Sequence, residues 1–343
     1  MKTAVVILNW NTEGFLKEFL PGLISSVGKV DGAEVVVADN ASTDGSLRVM
    51  QEEFPQVKTI VLDKNYGFAE GYNRAIEQVD AQYVVLLNSD VEVTPNWLDT
   101  LLEYARTHDV AALQPKILSW QSKEDAIASG NSDVLFEHAG AAGGMIDSLG
   151  YPYCRGRILS HVDTDQGQYD DIVPIFWASG ACLFIRREVY LQVGGLDELF
   201  FAHQEEIDLC WRMHSRGYSI MVVPQSVVYH LGGGALGYES PRKTYLNFRN
   251  NLLMLYKNLS TPRLLLILFL RFFLDYVAAL QMLLTGKVLN AKEVVRARLD
   301  FIKMRRLVKS KRKENIRKST TPYPSIIARR SILFDYYLRG KRN

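Results

Sequence analysis

The chain has 343 residues, 48% hydrophobic and 11% aromatic, enough to bury one large core and carry a smaller appendage. Its net charge of +2 conceals a division: residues 1–286 carry 22 Lys and Arg against 34 Asp and Glu, while residues 287–343 carry 18 against 4, so only the tail is expected to seek an anionic surface. Cys154, Cys182 and Cys210 are widely spaced, with no CxxC or Cys/His pattern, which argues against a disulfide framework or a zinc site and fits a reducing cytoplasm.

The opening run MKTAVVILNW meets polar NTEG with no small-residue cleavage site between them, which predicts a first buried strand rather than a signal peptide. Further β-rich runs follow the one at 3–8, at 34–38, 58–62 and 82–87, and stretches of helical spacing at 14–27, 45–53 and 68–79 separate them. This alternation predicts an α/β fold, a mainly parallel sheet with helices on both faces. In such a sheet the carboxyl ends of the strands form the binding crevice. Each run here ends in polar residues: Asn9 and Asn11, Asp39 and Asn40, Asp63 and Asn65, Asn88 and Asp90.

A less regular, glycine-richer block over 110–235 holds a strand at 181–185, a helix at 205–216 and extended structure at 219–229. It is expected to complete the site over the sheet rather than to fold alone. The expected divisions are a main domain over 1–235, a connecting segment over 236–262, an apolar helix over 263–286 and a basic tail over 287–343.

The apolar helix is long enough to cross a bilayer, but Arg271 and Asp275 interrupt its middle, each costing roughly 2.5–3.5 kcal/mol at the membrane centre. They share a helical face with Ala278 and Ala279, which favours a helix lying in the membrane interface over a span or a core helix; pairing in a homodimer is the remaining use for such a face. The polybasic tail beside it fits an anionic membrane surface. No nucleic acid partner is expected, because neither a binding fold nor interleaved aromatics accompany the charge.

Asp90, in LLNSDVEV, suits a hard divalent cation, since magnesium takes one or two protein carboxylates and leaves other positions to water and phosphates. Alone, the NSD tripeptide is equally ordinary turn chemistry. The weight lies in the order of VILNWN (6–11), VVADNASTDGS (36–46), LDKNYGFAEGYNRAI (62–76) and LLNSDVEV (86–93), each where a strand becomes a loop. Together they resemble the nucleotide-sugar half of family 2 glycosyltransferases of the GT-A fold, in the rhamnosyltransferase-like branch, over roughly residues 3–235.

The resemblance implies a Rossmann-like GT-A catalytic domain with a C-terminal helical extension, using Mg²⁺ or Mn²⁺. It places Asp39 against the nucleobase, and Asn9 and Asn11 in the loop that cradles base and ribose. Asn65, Gly67 and Asn73 fall in the third loop, where Gly67 would open a helix whose N-terminus favours negative charge. Asp90 matches the last aspartate of the DXD metal motif, and Asn88 replaces the first, leaving it as a ribose or water contact. His230 ends a strand before the glycine run of VVYHLGGGAL and resembles a metal or diphosphate contact, although a lone histidine is as readily structural.

In GGLDELFFAHQEEIDLCWRMHSRGY (194–218), Glu205, Glu206 and Asp208 open a helix. Acids there complement the helix dipole, but three exceed that need. The resemblance makes Glu206 the catalytic base, with Glu205 as the alternative, and the helix N-terminus is expected to keep Glu206 ionised near neutral pH. Asp208 and Arg212, four apart, read as a structural ion pair. Arg155 and Arg157, in GAAGGMIDSLGYPYCRGR, and Trp177 and Ser179, in FWASGACLFIRRE, resemble segments that shape sugar or acceptor recognition, with solvated charge and core packing as the plain alternatives.

The implied reaction is displacement of a nucleoside diphosphate from a sugar's anomeric carbon, with inversion, by a hydroxyl of a glycan or lipid-linked acceptor at the inner face of the cell membrane. A sugar nucleotidyltransferase would open on a glycine- and arginine-rich phosphate loop, which ILNWNTEGFL lacks. A catalytically inactive nucleotide-sugar-binding scaffold would keep Asp39 and Asp90 and tolerate loss of Glu206.

Overall fold

The computed structural model describes residues 1–232 and 240–341. Its first strand, β1 (Thr3–Asn9), feeds two cores because successive side chains point to opposite faces: Ala4 and Val6 enter one, Val5 and Ile7 the other. The alternation continues through α1 (Glu13–Val27), β2 (Ala33–Asp39), α2 (Ser46–Glu52), β3 (Lys58–Val61), α3 (Gly67–Glu77) and β4 (Tyr83–Leu87). Leu16, Leu20 and Leu23 of α1 join the core of Val5 and Ile7, while Ala69, Tyr72 and Ile76 of α3 join that of Ala4 and Val6. Helices therefore cover both faces.

These four strands are parallel, in the order β3-β2-β1-β4, with Asn9 opposite Asp39, Asp39 opposite Val61 and Ile7 opposite Leu87. That register brings the polar strand ends to one edge, as expected of a parallel sheet. The chain goes on through β5 (Val91–Val93), α4 (Trp97–Thr107), β6 (Ala112–Ser119) and α5 (Trp120–Ser129). A small antiparallel sheet follows, made of β7 (Gly144–Ile146), β8 (Pro152–Cys154), β9 (Arg157–Ile158) and β10 (His161–Val162).

With β11 (Val173–Pro174), β12 (Cys182–Arg186) and β13 (Ile220–His230) the chain rejoins the main sheet. Strand β12 is inserted antiparallel between β4 and β6, and β13 runs parallel to β6 and antiparallel to β5. The second block thus extends the first block's sheet into a mixed one. Between β12 and β13 lie α6 (Arg187–Val193) and α7 (Glu205–Ser215).

The C-terminal extension is helical: α8 (Pro241–Asn258), α9 (Thr261–Leu284), α10 (Val288–Met304), α11 (Lys309–Lys318) and α12 (Ile332–Leu338). Leu252, Leu253, Met254 and Leu255 of α8 are fully buried in the main core. The boundary drawn at residue 235 lies outside the described residues, as do Gly233 and Gly234 of the glycine run.

Helix α9 is turned the opposite way from an interfacial helix with its charges in water. Arg271 and Asp275 pair at 3.1 Å, as their spacing predicts, but each is only 2% exposed. The Arg271 guanidinium lies 3.9 Å over the Tyr151 ring and donates to Asn251 Oδ1, and Arg298 stands 3.4 Å from Asp275 Oδ2. A buried charge is tolerated only when paired, and here the protein supplies the partners. Leu265, Leu266, Phe269, Phe273, Val277, Leu280 and Leu284 consequently face outward, each more than half exposed. Part of the tail's charge is also used internally, since Lys311 bridges Asp197 and Glu198 at 2.8 Å each and Arg312 donates to the Leu259 carbonyl at 2.7 Å.

Candidate active site

At the parallel edge, Asp39 is 1% exposed, accepting from Asn9 Nδ2 at 2.8 Å and from the Ser42 backbone N–H at 2.9 Å. Asn11 Oδ1 accepts from the Thr43 N–H at 2.7 Å, so the first two loops are tied to each other. Asp44 accepts from the N–H groups of Glu13 and Ser46 at 3.0 Å each, which accounts for this second aspartate as a helix-end partner and leaves Asp39 for another use. Asn40 Nδ2 reaches Asn65 Oδ1 and the Gly67 carbonyl, both at 3.1 Å, and Asn65 Oδ1 accepts from the Gly67 N–H at 2.8 Å. Asn73 is not part of this cluster: it ties α3 to the Leu196 backbone and to the Tyr190 hydroxyl.

Asp90 and His230 are brought together by strand register. His230 lies opposite Val91 in the β13–β5 pair, and the Leu231 N–H donates to the Asp90 carbonyl at 3.0 Å. His230 Nε2 is then 3.2 Å from Asp90 Oδ1 and 3.3 Å from Asn88 Nδ2, while Nδ1 is 3.6 Å from Glu137 Oε1. Burial disfavours a charged imidazole, but hydrogen bonding and attraction from Asp90 and Glu137 outweigh it and push His230 up to about 10. Glu137 is held down to about 2 by His230 against its own burial.

With His230 deprotonated and a cation taking the place of its proton, a hard oxygen and an imidazole nitrogen at this spacing would fit Mn²⁺ or Mg²⁺ in a site that phosphate oxygens complete. Glu137 behind Nδ1 is the kind of carboxylate that fixes the ring of a ligating histidine. Among the described residues no three His, Cys, Asp or Glu side chains converge on a metal position.

The two glutamates open α7 after a constrained loop. Phe201, His203 and Gln204 have φ of +67°, +68° and +71°, a region that costs non-glycine residues about 1–3 kcal/mol each. Helix α8 holds this loop: Asn250 Nδ2 donates to the carbonyls of Phe200, Ala202 and His203 at 3.0, 2.9 and 2.7 Å. Arg249 binds the Phe200 carbonyl at 2.9 Å, and Asn251 binds Gln204 Oε1 at 3.0 Å. Sequence reasoning missed these three residues; the available signal was an Arg-Asn-Asn run inside an otherwise helical stretch. Gly67, at φ +75°, meets the same loop, where a Cβ would come within 2.7 Å of the Phe201 ring, so the loop after β3 and the loop before Glu205 approach each other closely with glycine there.

Glu205 is 4% exposed and Glu206 half-buried, and Oε2 of each is shut off from water without a hydrogen-bond partner. Desolvation, then the charge of Glu206, pushes Glu205 well above the carboxylate range, and desolvation pushes Glu206 up to about 7. This corrects the expectation that the helix N-terminus keeps Glu206 ionised: backbone N–H groups do lower it, but loss of water outweighs them. The Asp208–Arg212 pair is present at 2.9 Å, and Lys257 of α8 adds a third charge at 2.7 Å from Asp208.

The remaining candidates are engaged within the protein. Arg155 pairs with Asp171, and Arg157 donates to the Leu159 carbonyl and Cys154 Sγ. Trp177 is 3% exposed with Nε1 on the Met145 carbonyl at 2.9 Å, and Ser179, 2% exposed, accepts from the Ala181 N–H at 3.2 Å.

A mixed sheet with this strand order, carrying polar residues on the ends of its parallel strands, has the architecture of a GT-A glycosyltransferase. Among solved structures, S. aureus TarS in complex with UDP-GlcNAc is 18% identical, covering 93% of this chain and 89% of that one with a TM-score of 0.54. The mannosyltransferase PcManGT from Pyrobaculum calidifontis, in complex with GDP-Man and Mn²⁺, is 15% identical, covering 92% and 85% with a TM-score of 0.52. The chain belongs to glycosyl transferase family 2, whose model matches residues 4–193. It is 29% identical over 238 residues, 66% of this chain and 75% of the relative, to the N-acetylglucosaminyl-diphospho-decaprenol L-rhamnosyltransferase of Mycobacterium tuberculosis. It is also 24% identical over 257 residues, 73% of this chain and 74% of the relative, to the low-salt glycan biosynthesis hexosyltransferase Agl10 of Haloferax volcanii.

Proposed function

We propose that this chain is an inverting, metal-dependent glycosyltransferase that moves a sugar, rhamnose by its likeness to the mycobacterial relative, from a nucleoside diphosphate to a hydroxyl of a lipid-linked glycan in surface polysaccharide synthesis. The observation that carries this reading is the Asp90–His230 pair, 3.2 Å apart, set on the sheet that also ends in the Asn9–Asp39 pair.

In this reading residues 1–235 are the catalytic domain. Asp39, oriented by Asn9, accepts a ring N–H of the base, and Asn11, Asn65 and Gly67 shape the loops around the nucleotide. Asp90 and His230 hold Mg²⁺ or Mn²⁺, with Asn88 beside them; when bound, the ion offsets negative charge on the departing diphosphate. Glu206 accepts the acceptor hydroxyl's proton, and burial and the charge of Glu206 raise Glu205 beside it. A base on the face opposite the leaving group, with no second carboxylate needed as nucleophile, gives a single displacement and inversion.

The test is a panel of nucleotide sugars offered with a polyprenyl-diphosphate-linked glycan, with and without Mn²⁺, scored by nucleoside diphosphate release. One donor is expected to turn over, and only with the metal. Binding without release from any donor would leave the inactive scaffold instead.

The outward apolar face of α9, with exposed Leu289, Leu299 and Ile302 and the exposed cations Lys292, Arg305, Arg306 and Lys309 following it in sequence, supports a peripheral position on an anionic cytoplasmic leaflet. The protein is expected to float with phosphatidylcholine vesicles containing phosphatidylglycerol, and Leu266→Asp with Phe273→Asp to release it. Wild-type protein left in solution by such vesicles would remove this reading.

A further inference from the structure

Beside the loop that presents Glu206, a cavity of about 380 Å³ opens between α8 and α10, and its charged and aromatic lining is Phe201, Arg242, Tyr245, Arg249, Glu293 and Arg296. Three guanidinium groups share it with one carboxylate. Arg242 lies 5.4 Å from the Phe201 ring centre, and Arg249 and Arg296 lie 5.2 and 4.8 Å from that of Tyr245, so aromatic faces hold the guanidinium planes. Arg249 is anchored to the carbonyls of Leu199 and Phe200, whereas Arg296, 64% exposed at its side chain, makes long contacts to Glu293 and Asp300, at 3.4 and 3.8 Å.

Cations of like sign around one space repel unless an anion enters, and arginine forks match phosphate oxygens in geometry as well as charge. Beside Arg296 on α10, among charged neighbours, Val295 at 37% and Leu299 at 53% are exposed apolar side chains, as are the outward residues of α9. A ligand meeting all of this carries phosphate at one end and hydrocarbon at the other.

We infer that this cavity binds the diphosphate of the lipid-linked acceptor, a step that rests on the function proposed above. The phosphates sit among Arg242, Arg249 and Arg296, the lipid runs out along the apolar face, and the glycan extends past Phe201 toward Glu206.

The test uses the full chain carrying Arg242→Gln and Arg296→Gln, both at exposed positions. With a glycan diphosphate on a short alkyl chain as acceptor, KM is expected to rise about 10- to 100-fold, the loss of charge-assisted hydrogen bonds. With the same glycan as a neutral alkyl glycoside the change stays under about twofold, because that acceptor lacks the charges such bonds require. Equal changes on both acceptors, or none on the diphosphate, overturn the inference. Calorimetric titration with inorganic pyrophosphate in excess chelator needs no turnover, so it reads the cavity even if the donor panel fails. Binding is expected in wild type and in Asp90→Asn, and its persistence in the arginine variant counts against the site. Flotation on phosphatidylglycerol vesicles separates the acceptor from a phospholipid headgroup: the arginine variant still floats if the cavity serves the acceptor, and loses flotation if it serves the bilayer, which overturns the inference.

Discussion

An Asp90→Asn variant is expected to lose roughly 10³-fold in kcat/KM, the equivalent of several kcal/mol of charge stabilisation at the leaving diphosphate, and excess chelator to do the same to wild type. The substitution keeps the shape of a side chain that is 7% exposed and 3.2 Å from His230, but removes the charge that holds a divalent cation. Circular dichroism of the variant checks that the sheet edge survives, and nucleoside diphosphate release gives the rate. Turnover that continues at full rate in either condition would show that the diphosphate leaves without a cation.

Glu206→Gln is expected to lower kcat by about 10²- to 10⁴-fold while the donor KM changes little, since a base acts on the acceptor's proton and not on the nucleotide. Its pH dependence carries a sign. Burial raises Glu206 to about 7, so below that pH the carboxyl is protonated and cannot accept a proton. The wild-type rate should climb about tenfold per pH unit up to roughly 7 and then level off.

Stability moves the other way. Unfolded, the group titrates near 4.5, so between 4.5 and about 7 the folded chain holds a proton the unfolded chain has lost, and stability falls as pH rises through that window. Glu206→Gln removes this cost, and its Tm at neutral pH is expected to exceed that of wild type while activity is lost. A variant that is inactive and less stable would instead point to a structural role.

Local chemistry wrote much of this protein into its sequence. Short continuous β-rich runs and helical spacing locate β1 to β4 and their helices, because a parallel strand covered on both faces is apolar at successive positions. A parallel sheet then obliges Asn9, Asp39, Asn65 and Asn88 to collect at one edge, and α7 is marked by its acids and apolar spacing.

Other features depend on which segments meet. The antiparallel insertion of β12 and the register that sets His230 against Asp90 arise from pairings between strands far apart in the chain, and no local pattern encodes a partner. Glu137 behind His230 and the Asn250 clamp on the loop before Glu205 are of the same kind. The protonation of Glu206 turns on how much water its neighbours exclude, a property of the packed fold rather than of the helix end. The inward turn of Arg271 and Asp275 follows from the partners that Tyr151, Asn251 and Arg298 offer, and the sequence of α9 alone fixes which residues share a face but not which face meets the protein.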